Sequence, residues 1–194
     1  MSIAALFPPL LRGCMQAACV ALAMSSCAVS PVTIPRVEHV ELERFMGDWY
    51  VIAHIPSWPE RDSYNAVESY ALTPDGTVST VFQFRKGGFD AKLKTMRPVG
   101  HVQAGTGNAV WGMQFVWPIK AEYVIVYVDP QYQQTIIGRS SRDYAWIMAR
   151  SPAIADADYA RLCERLQTLG YSLEQLRRVP QQWPETADER RTTP

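Results

Sequence analysis

The 194-residue sequence has few histidines, little usable cysteine, no excess of either charge and no long apolar run. Each shortage removes a class of protein. His39, His54 and His101 are the only histidines and show no zinc-ligand spacing, and neither a Gly-x-Ser-x-Gly elbow nor a phosphate-cradling glycine loop occurs. Metal-dependent, serine-hydrolase and nucleotide chemistry therefore have no motif behind them, and no cofactor is expected. Lysine plus arginine total 19 against 19 aspartate plus glutamate, whereas a nucleic-acid binder ordinarily gathers a basic excess on one face. No stretch reaches the roughly 18 uncharged apolar residues of a membrane span, so the polypeptide is not expected to cross a bilayer. What the chain has in plenty is aromatics, with 6 Trp, 9 Tyr and 6 Phe, in a composition of 47% hydrophobic and 20% charged residues that suits a globular domain.

Residues 1–26 carry one charged side chain, Arg12, and then a small-residue apolar stretch that ends in Ser25, Ser26 and Cys27. A basic region, a short hydrophobic region and small residues at a cut site form the order of a secretory signal. The cut site resembles the lipobox of bacterial lipoproteins, which implies cleavage before Cys27 and acylation of that residue. Several acyl chains hold a protein on a membrane where one alone is marginal. An ordinary secreted protein cut nearby is the alternative. Ala28 follows the cysteine where an inner-membrane retention signal would have Asp, so the same resemblance implies the outer membrane, facing the periplasm. Cys14 and Cys19 leave with the signal, Cys163 is then alone, and no intramolecular disulfide is expected. Residues 27–40, with Pro31 and Pro35, read as an extended tether, and residues 184–194 as a disordered polar tail.

Between them lies one folded unit, 41–183. Segments rich in β-branched and aromatic residues at 49–54, 65–72, 77–85, 91–104, 109–117, 121–128, 132–138 and 144–150 alternate with turn signals such as Thr73-Pro74-Asp75-Gly76 and Gly105-Thr106-Gly107-Asn108. Short connections make successive strands antiparallel neighbours, and eight such strands close into a barrel able to hold one small ligand. After Pro152 the period changes to that of a helix, with Asp156 as its N-cap candidate. Tyr159, Leu162, Cys163, Leu166 and Leu169 lie on one face, and Gly170 follows. Cys163 on that stripe reads as a packed hydrophobe rather than a reactive thiol.

Gly47-Asp48-Trp49-Tyr50 opens the first strand and Arg150 closes the last, just before the helix. This arrangement resembles the lipocalin family, and residues 49–54, 142–152 and 181–183 are similar to its bacterial outer-membrane lipoprotein branch and the apolipoprotein D group. Val128-Asp129-Pro130 departs from the family's Thr-Asp-Tyr signature. The resemblance implies an eight-stranded antiparallel up-and-down β-barrel with a flanking C-terminal helix. It also implies a structural signature in which Trp49 plugs the closed end, Arg150 stacks across its indole and Gly47 allows the entering turn. The function it implies is that of a carrier binding a fatty acid or lysophospholipid for storage, transport or membrane maintenance, as a monomer or a homodimer. A lipocalin-fold enzyme acting on a lipidic substrate is the alternative, and a barrel filled by its own aromatics is a third.

If Trp49 marks the closed end, the mouth is made by the loops 55–63, 86–90, 117–120 and 139–143. Arg61, Lys86, Lys120, Arg139 and Arg142 there suggest a rim for an anionic head group, with Lys120 as the expected contact; solvated loop charge is the bland alternative. Trp58 and Trp117 would cover the entrance or touch membrane. Counting alternate residues from an inward Trp49 predicts Val51 and Ala53 inside. Tyr70, Phe82, Phe84, Trp111, Phe115, Tyr123, Tyr127 and Trp146 are further candidate liners of an apolar cup suited to an acyl chain.

Overall fold

The computed structural model describes residues 33–185. The signal, Cys27, the first part of the tether and residues 186–194 lie outside the described residues. A short helix, α1 (Leu42–Phe45), leads through Gly47 into β1 (Gly47–Ile55). The meander continues as β2 (Ser63–Leu72), β3 (Val78–Lys86), β4 (Leu93–Met96), β5 (Val99–Val102), β6 (Val110–Val116), β7 (Ile119–Val128), β8 (Gln134–Gly138) and β9 (Ala145–Ala149). Every pairing is antiparallel, and β9 pairs back onto β1, with Tyr50 opposite Ala149 and Ile55 opposite Ala145. The result is the closed eight-stranded antiparallel barrel that the sequence predicts. Its fourth stave is divided into β4 and β5. Pro98 has no N–H to give to the ladder, and its carbonyl instead accepts a hydrogen bond from Thr80 N at 3.2 Å.

Alternation along the strands sorts apolar side chains into two layers. On β9, Trp146 and Met148 face the interior while Ala145, Ile147 and Ala149 face outward. The outer layer receives α2 (Asp156–Thr168), whose Leu162 and Leu166 are fully buried. Cys163 joins this layer, partly buried. The helix start corrects the expected cap: Ala155 is the N-cap, without a side-chain cap bond, and Asp156 and Asp158 stand in the first turn, where their charge complements the helix dipole. Its end follows expectation. Gly170 adopts φ +88, Gly170 N donates to Gln167 O at 2.9 Å, and Tyr171 N donates to Leu166 O at 3.1 Å, together a Schellman closure.

β1 and β2 pair only from Gly47 to Tyr50, and the seam beyond is laced by the chain after the helix. A two-residue strand, β10 (Arg177–Arg178), pairs with Ala53 and His54. Val179 N then donates to Ile52 O at 2.9 Å, and Asn65 N donates to Pro180 O at 2.9 Å. Gln181 Nε2 bonds both Val51 O at 2.8 Å and Ala66 O at 3.3 Å. Trp183 stacks edge-on against Tyr50 at 5.1 Å. The lacing extends into the segment expected to be tail, for Glu185 pairs with the buried Arg85 at 3.1 Å.

The register slips at four places, and two of the slips reverse the facing of expected liners. Opposite β9 the register slips between Val51 and Ala53, so Ile52 is an extra residue and the parity of β1 reverses after it. Opposite β8 the register of β7 slips between Ile125 and Tyr127 in the same way.

Candidate functional site

The two ends of the barrel differ. At one end Trp49 is fully buried, packed on Phe45 with ring centroids 5.0 Å apart, and its Nε1 donates to Phe45 O at 2.8 Å. Arg150 lies with its guanidinium 3.9 Å from the Trp49 ring centroid. Its Nη1 donates to Asp48 O at 2.8 Å and its Nη2 to Arg44 O and Met46 O, each at 2.8 Å. Nε adds a longer bond to Tyr132 O at 3.3 Å. One planar cation thus ties α1, β1 and the β7–β8 turn together. Gly47 has φ +90, and a Cβ there would come within 3.4 Å of Arg150 Nη1. Tyr70 and Trp111 complete an aromatic plug around Phe45, both at 5.6–5.7 Å.

Towards the other end the interior opens into a cavity of about 370 Å³, at the small end of the range of roughly 300–1,000 Å³ for ligand pockets. Met96, Met113, Phe115, Ala121, Tyr123 and Trp146 supply a mostly apolar wall. Val51, Tyr70, Phe82, Phe84 and Trp111 also belong to the interior cluster, but none of them borders the cavity. Phe82 and Phe84 stack at 4.9 Å, and Trp146 lies 5.1 Å from Phe82.

Three expected positions are corrected. Ala53 and Tyr127 belong to the outer layer beside α2, because each follows a bulge that reverses the alternation. Tyr127 lies beneath the Arg165 guanidinium at 4.2 Å. Lys120 is paired opposite Gln114 in the tight β6–β7 hairpin, and its aliphatic stem lies across Gly112 on the outside, where a Cβ on Gly112 would meet it at 3.1 Å. Of the five basic residues expected at the rim, Arg139 alone borders the cavity among the described residues. It pairs with Asp143 at 3.5 Å, and its buried Nε has no hydrogen-bond partner. Arg142 turns to the end of α2, where it donates to Leu169 O at 3.2 Å.

Reasoning from apolar liners alone misses the polar part of the cavity. Glu68 follows Ala66 and precedes Tyr70 at the same inward parity on β2, which is the sequence signal that places it. It is buried, borders the cavity, and its Oε2 has no hydrogen-bond partner. Burial, and then the charge of Glu60, push its carboxyl well above the usual range. Glu60, from the turn Trp58–Glu60, accepts from Ser57 Oγ at 2.6 Å, Trp146 Nε1 at 3.2 Å and Tyr144 OH at 3.3 Å. Burial raises this carboxyl too, with those hydrogen bonds opposing the rise. His54, turned inward by the bulge, has Nδ1 4.0 Å from Glu60 Oε2. Desolvation, then the nearby positive charge of Arg177, bring its pKa down to about 4, so the ring is neutral. Below Glu68 the hydroxyls of Tyr70 and Tyr123 bond each other at 2.7 Å.

A closed barrel with one plugged end, one open end and an apolar cavity between is a binding barrel for a small hydrophobic ligand. The chain belongs to the lipocalin family, since the lipocalin-like domain pattern matches residues 40–181. It is 29% identical over 165 residues to temperature-induced lipocalin-1 of Arabidopsis thaliana, covering 81% of this chain and 87% of that one. It is 27% identical over 135 residues to the outer membrane lipoprotein Blc of Escherichia coli strain K12, covering 66% and 75%. With Blc of Vibrio cholerae it shares 22% over 163 residues, covering 82% and 93%. Among solved structures, lobster apocrustacyanin A1 superposes with a TM-score of 0.61 at 12% identity, over 85% of this chain and 99% of that one. The cockroach allergen Per a 4 gives 0.60 at 19%, over 76% and 92%. These two share the fold. Lipocalins are generally binding or carrier proteins.

Proposed function

We propose that the protein is a lipid carrier tethered to the outer membrane through an acylated Cys27, taking a fatty acid or lysophospholipid in the barrel cavity for lipid transport or membrane maintenance. The observation that carries this reading is the surface around the cavity mouth. Phe115, which borders the cavity, is 49% exposed, and the tip of the same hairpin presents Val116 at 68%, Trp117 at 82% and Ile119 at 72%. Trp58 on a neighbouring mouth loop is 73% exposed. Contiguous apolar side chains of this size around a cavity opening suit a site where a single acyl chain passes between bilayer and barrel. A chain drawn in tail-first would leave its carboxylate or phosphate beside Arg139 at the rim. The two Blc relatives are named as outer membrane lipoproteins, and Cys27 supplies a matching attachment point. No helix among the described residues is long and apolar enough to cross a membrane.

Titrating the delipidated protein with a fluorescent fatty acid tests the carrier reading. Saturable binding that is lost when Met113→Trp fills the cavity is the expected result, and the absence of saturable binding overturns it. For the anchor, Cys27→Ala should move the protein from the membrane to the soluble fraction, and continued sedimentation with membranes would refute acylation there.

A further inference from the structure

Buried carboxyl groups inside an apolar cup are an unusual lining for a site that takes an anionic lipid. Glu68 and Glu60 both border the cavity, and Glu122 lies at its edge. The carboxyl of Glu122 is occupied, accepting from Ser140 N at 2.7 Å and Ser140 Oγ at 2.8 Å. Glu60 is held by three donors. Glu68 differs: its Oε2 is buried and accepts no hydrogen bond. The titratable groups coupled to it are Glu60 and the neutral phenols of Tyr70, Tyr123 and Tyr144, none of them a cation. His54 beside Glu60 is neutral, and Arg139, the basic residue on the cavity, stands at the rim with Asp143. Around Glu68, then, acceptors are not matched by a cation. A buried acceptor left unfilled is costly, and a group that fills it gains what the empty protein forgoes.

We propose that Glu68 forms a subsite at the floor of the cavity for a primary ammonium group carried on an apolar chain, so that the barrel binds amine amphiphiles head-first in preference to carboxylates. The chain of such a ligand would run outward along Met96, Met113 and Phe115 to the apolar rim. Burial pushes the Glu68 carboxyl well above its usual range. An ammonium beside it would hold the group as a carboxylate that accepts the N–H donors, any proton it carried passing to solvent, so charge balances as a buried ion pair. A carboxylate head entering the same way would add a third acid to Glu60 and Glu68. The inference rests on the cavity being the ligand site.

The test uses the full-length delipidated chain and three probes of one chain length: decylamine, decanol and decanoate. Calorimetry should show decylamine binding about tenfold or more tighter than decanoate, a difference that one charge-assisted hydrogen bond supplies. Glu68→Gln, nearly isosteric, should weaken decylamine about tenfold and leave decanol within about twofold. Wild-type titrations in buffers of different ionisation heat need no variant, and should report more proton release with decylamine than with decanol, because an ammonium draws the raised Glu68 carboxyl towards its ionised form. Equal affinity for amine and carboxylate, or an unchanged amine preference in Glu68→Gln, would overturn the subsite while leaving the carrier reading intact. Failure of all three probes to bind would overturn both.

Discussion

Truncating Arg150 to alanine should unlatch the closed end of the barrel without touching the cavity. The side chain donates to three carbonyls at 2.8 Å and a fourth at 3.3 Å, and covers the Trp49 ring at 3.9 Å. A hydrogen bond from a charged donor contributes roughly 1.5–3 kcal/mol and a partly exposed cation–π contact roughly 0.5–2 kcal/mol. The sum overstates the loss, because the carbonyls lie near the surface and regain water when the guanidinium leaves. A net destabilisation of about 3 kcal/mol is expected, or about 9 °C in Tm at roughly 3 °C per kcal/mol for a chain of this size. Urea unfolding followed by tryptophan fluorescence measures it. Arg150→Lys should recover only a minor part, since an ammonium cannot reach carbonyls on three segments at once. Affinity for a fluorescent fatty acid should stay within about twofold in both variants, the cavity being bordered by other residues. A destabilisation below ~1 kcal/mol would refute the latch, and a large loss of affinity would refute the separation of closed end from binding site.

Two further perturbations report on other parts of the fold. Gly107 has φ +61, and a Cβ there would come within 1.8 Å of Glu38 O while its own carbonyl accepts from Val40 N at 2.8 Å. Gly107→Ala should therefore cost about 3 kcal/mol from left-handed strain and a backbone clash; a neutral effect in urea unfolding would contradict that contact. His54 is a base whose folded pKa, about 4, lies below the ordinary histidine value of 6.5, so the unfolded chain takes up the proton first. Its contribution is present above pH ~6.5 and is lost as pH falls towards ~4, by up to ~3 kcal/mol. Glu60 and Glu68 act oppositely. Their carboxyls are raised, so the folded state holds protons first and that contribution fades as pH rises through the raised values. His54→Gln should flatten the acid limb of a stability–pH curve, and an unaltered limb would assign the acid loss to other groups.

The eight staves, their antiparallel order and the helix on the outside are legible in the chain because period-two alternation, turn residues and short connections agree with one another. The plug and latch are legible through Gly47, Trp49 and Arg150. Inward facing fails at Ala53 and Tyr127 for one shared reason: a single extra residue, Ile52 or Val126, reverses parity, and a bulge has no composition signal here. Lys120 departs from the expected rim because the hairpin tip is tighter than a loop of 117–120, so the residue is already in strand. Glu68 sat at a readable inward position between Ala66 and Tyr70, but an acidic side chain runs against the apolar pattern by which liners are sought. The lacing by residues 177–182 has no periodicity of its own, two paired residues being too few to show any, and depends on the gap that β1 and β2 leave when they separate after Tyr50.

The most direct measurement is a structure of the full chain determined with a lysophospholipid present. An acyl chain lying against Met96, Met113 and Phe115, with its polar head at the rim near Arg139, is the predicted result. A lipid bound only on the outer surface, or a cavity closed by side chains with the ligand in excess, would contradict a carrier built on this barrel.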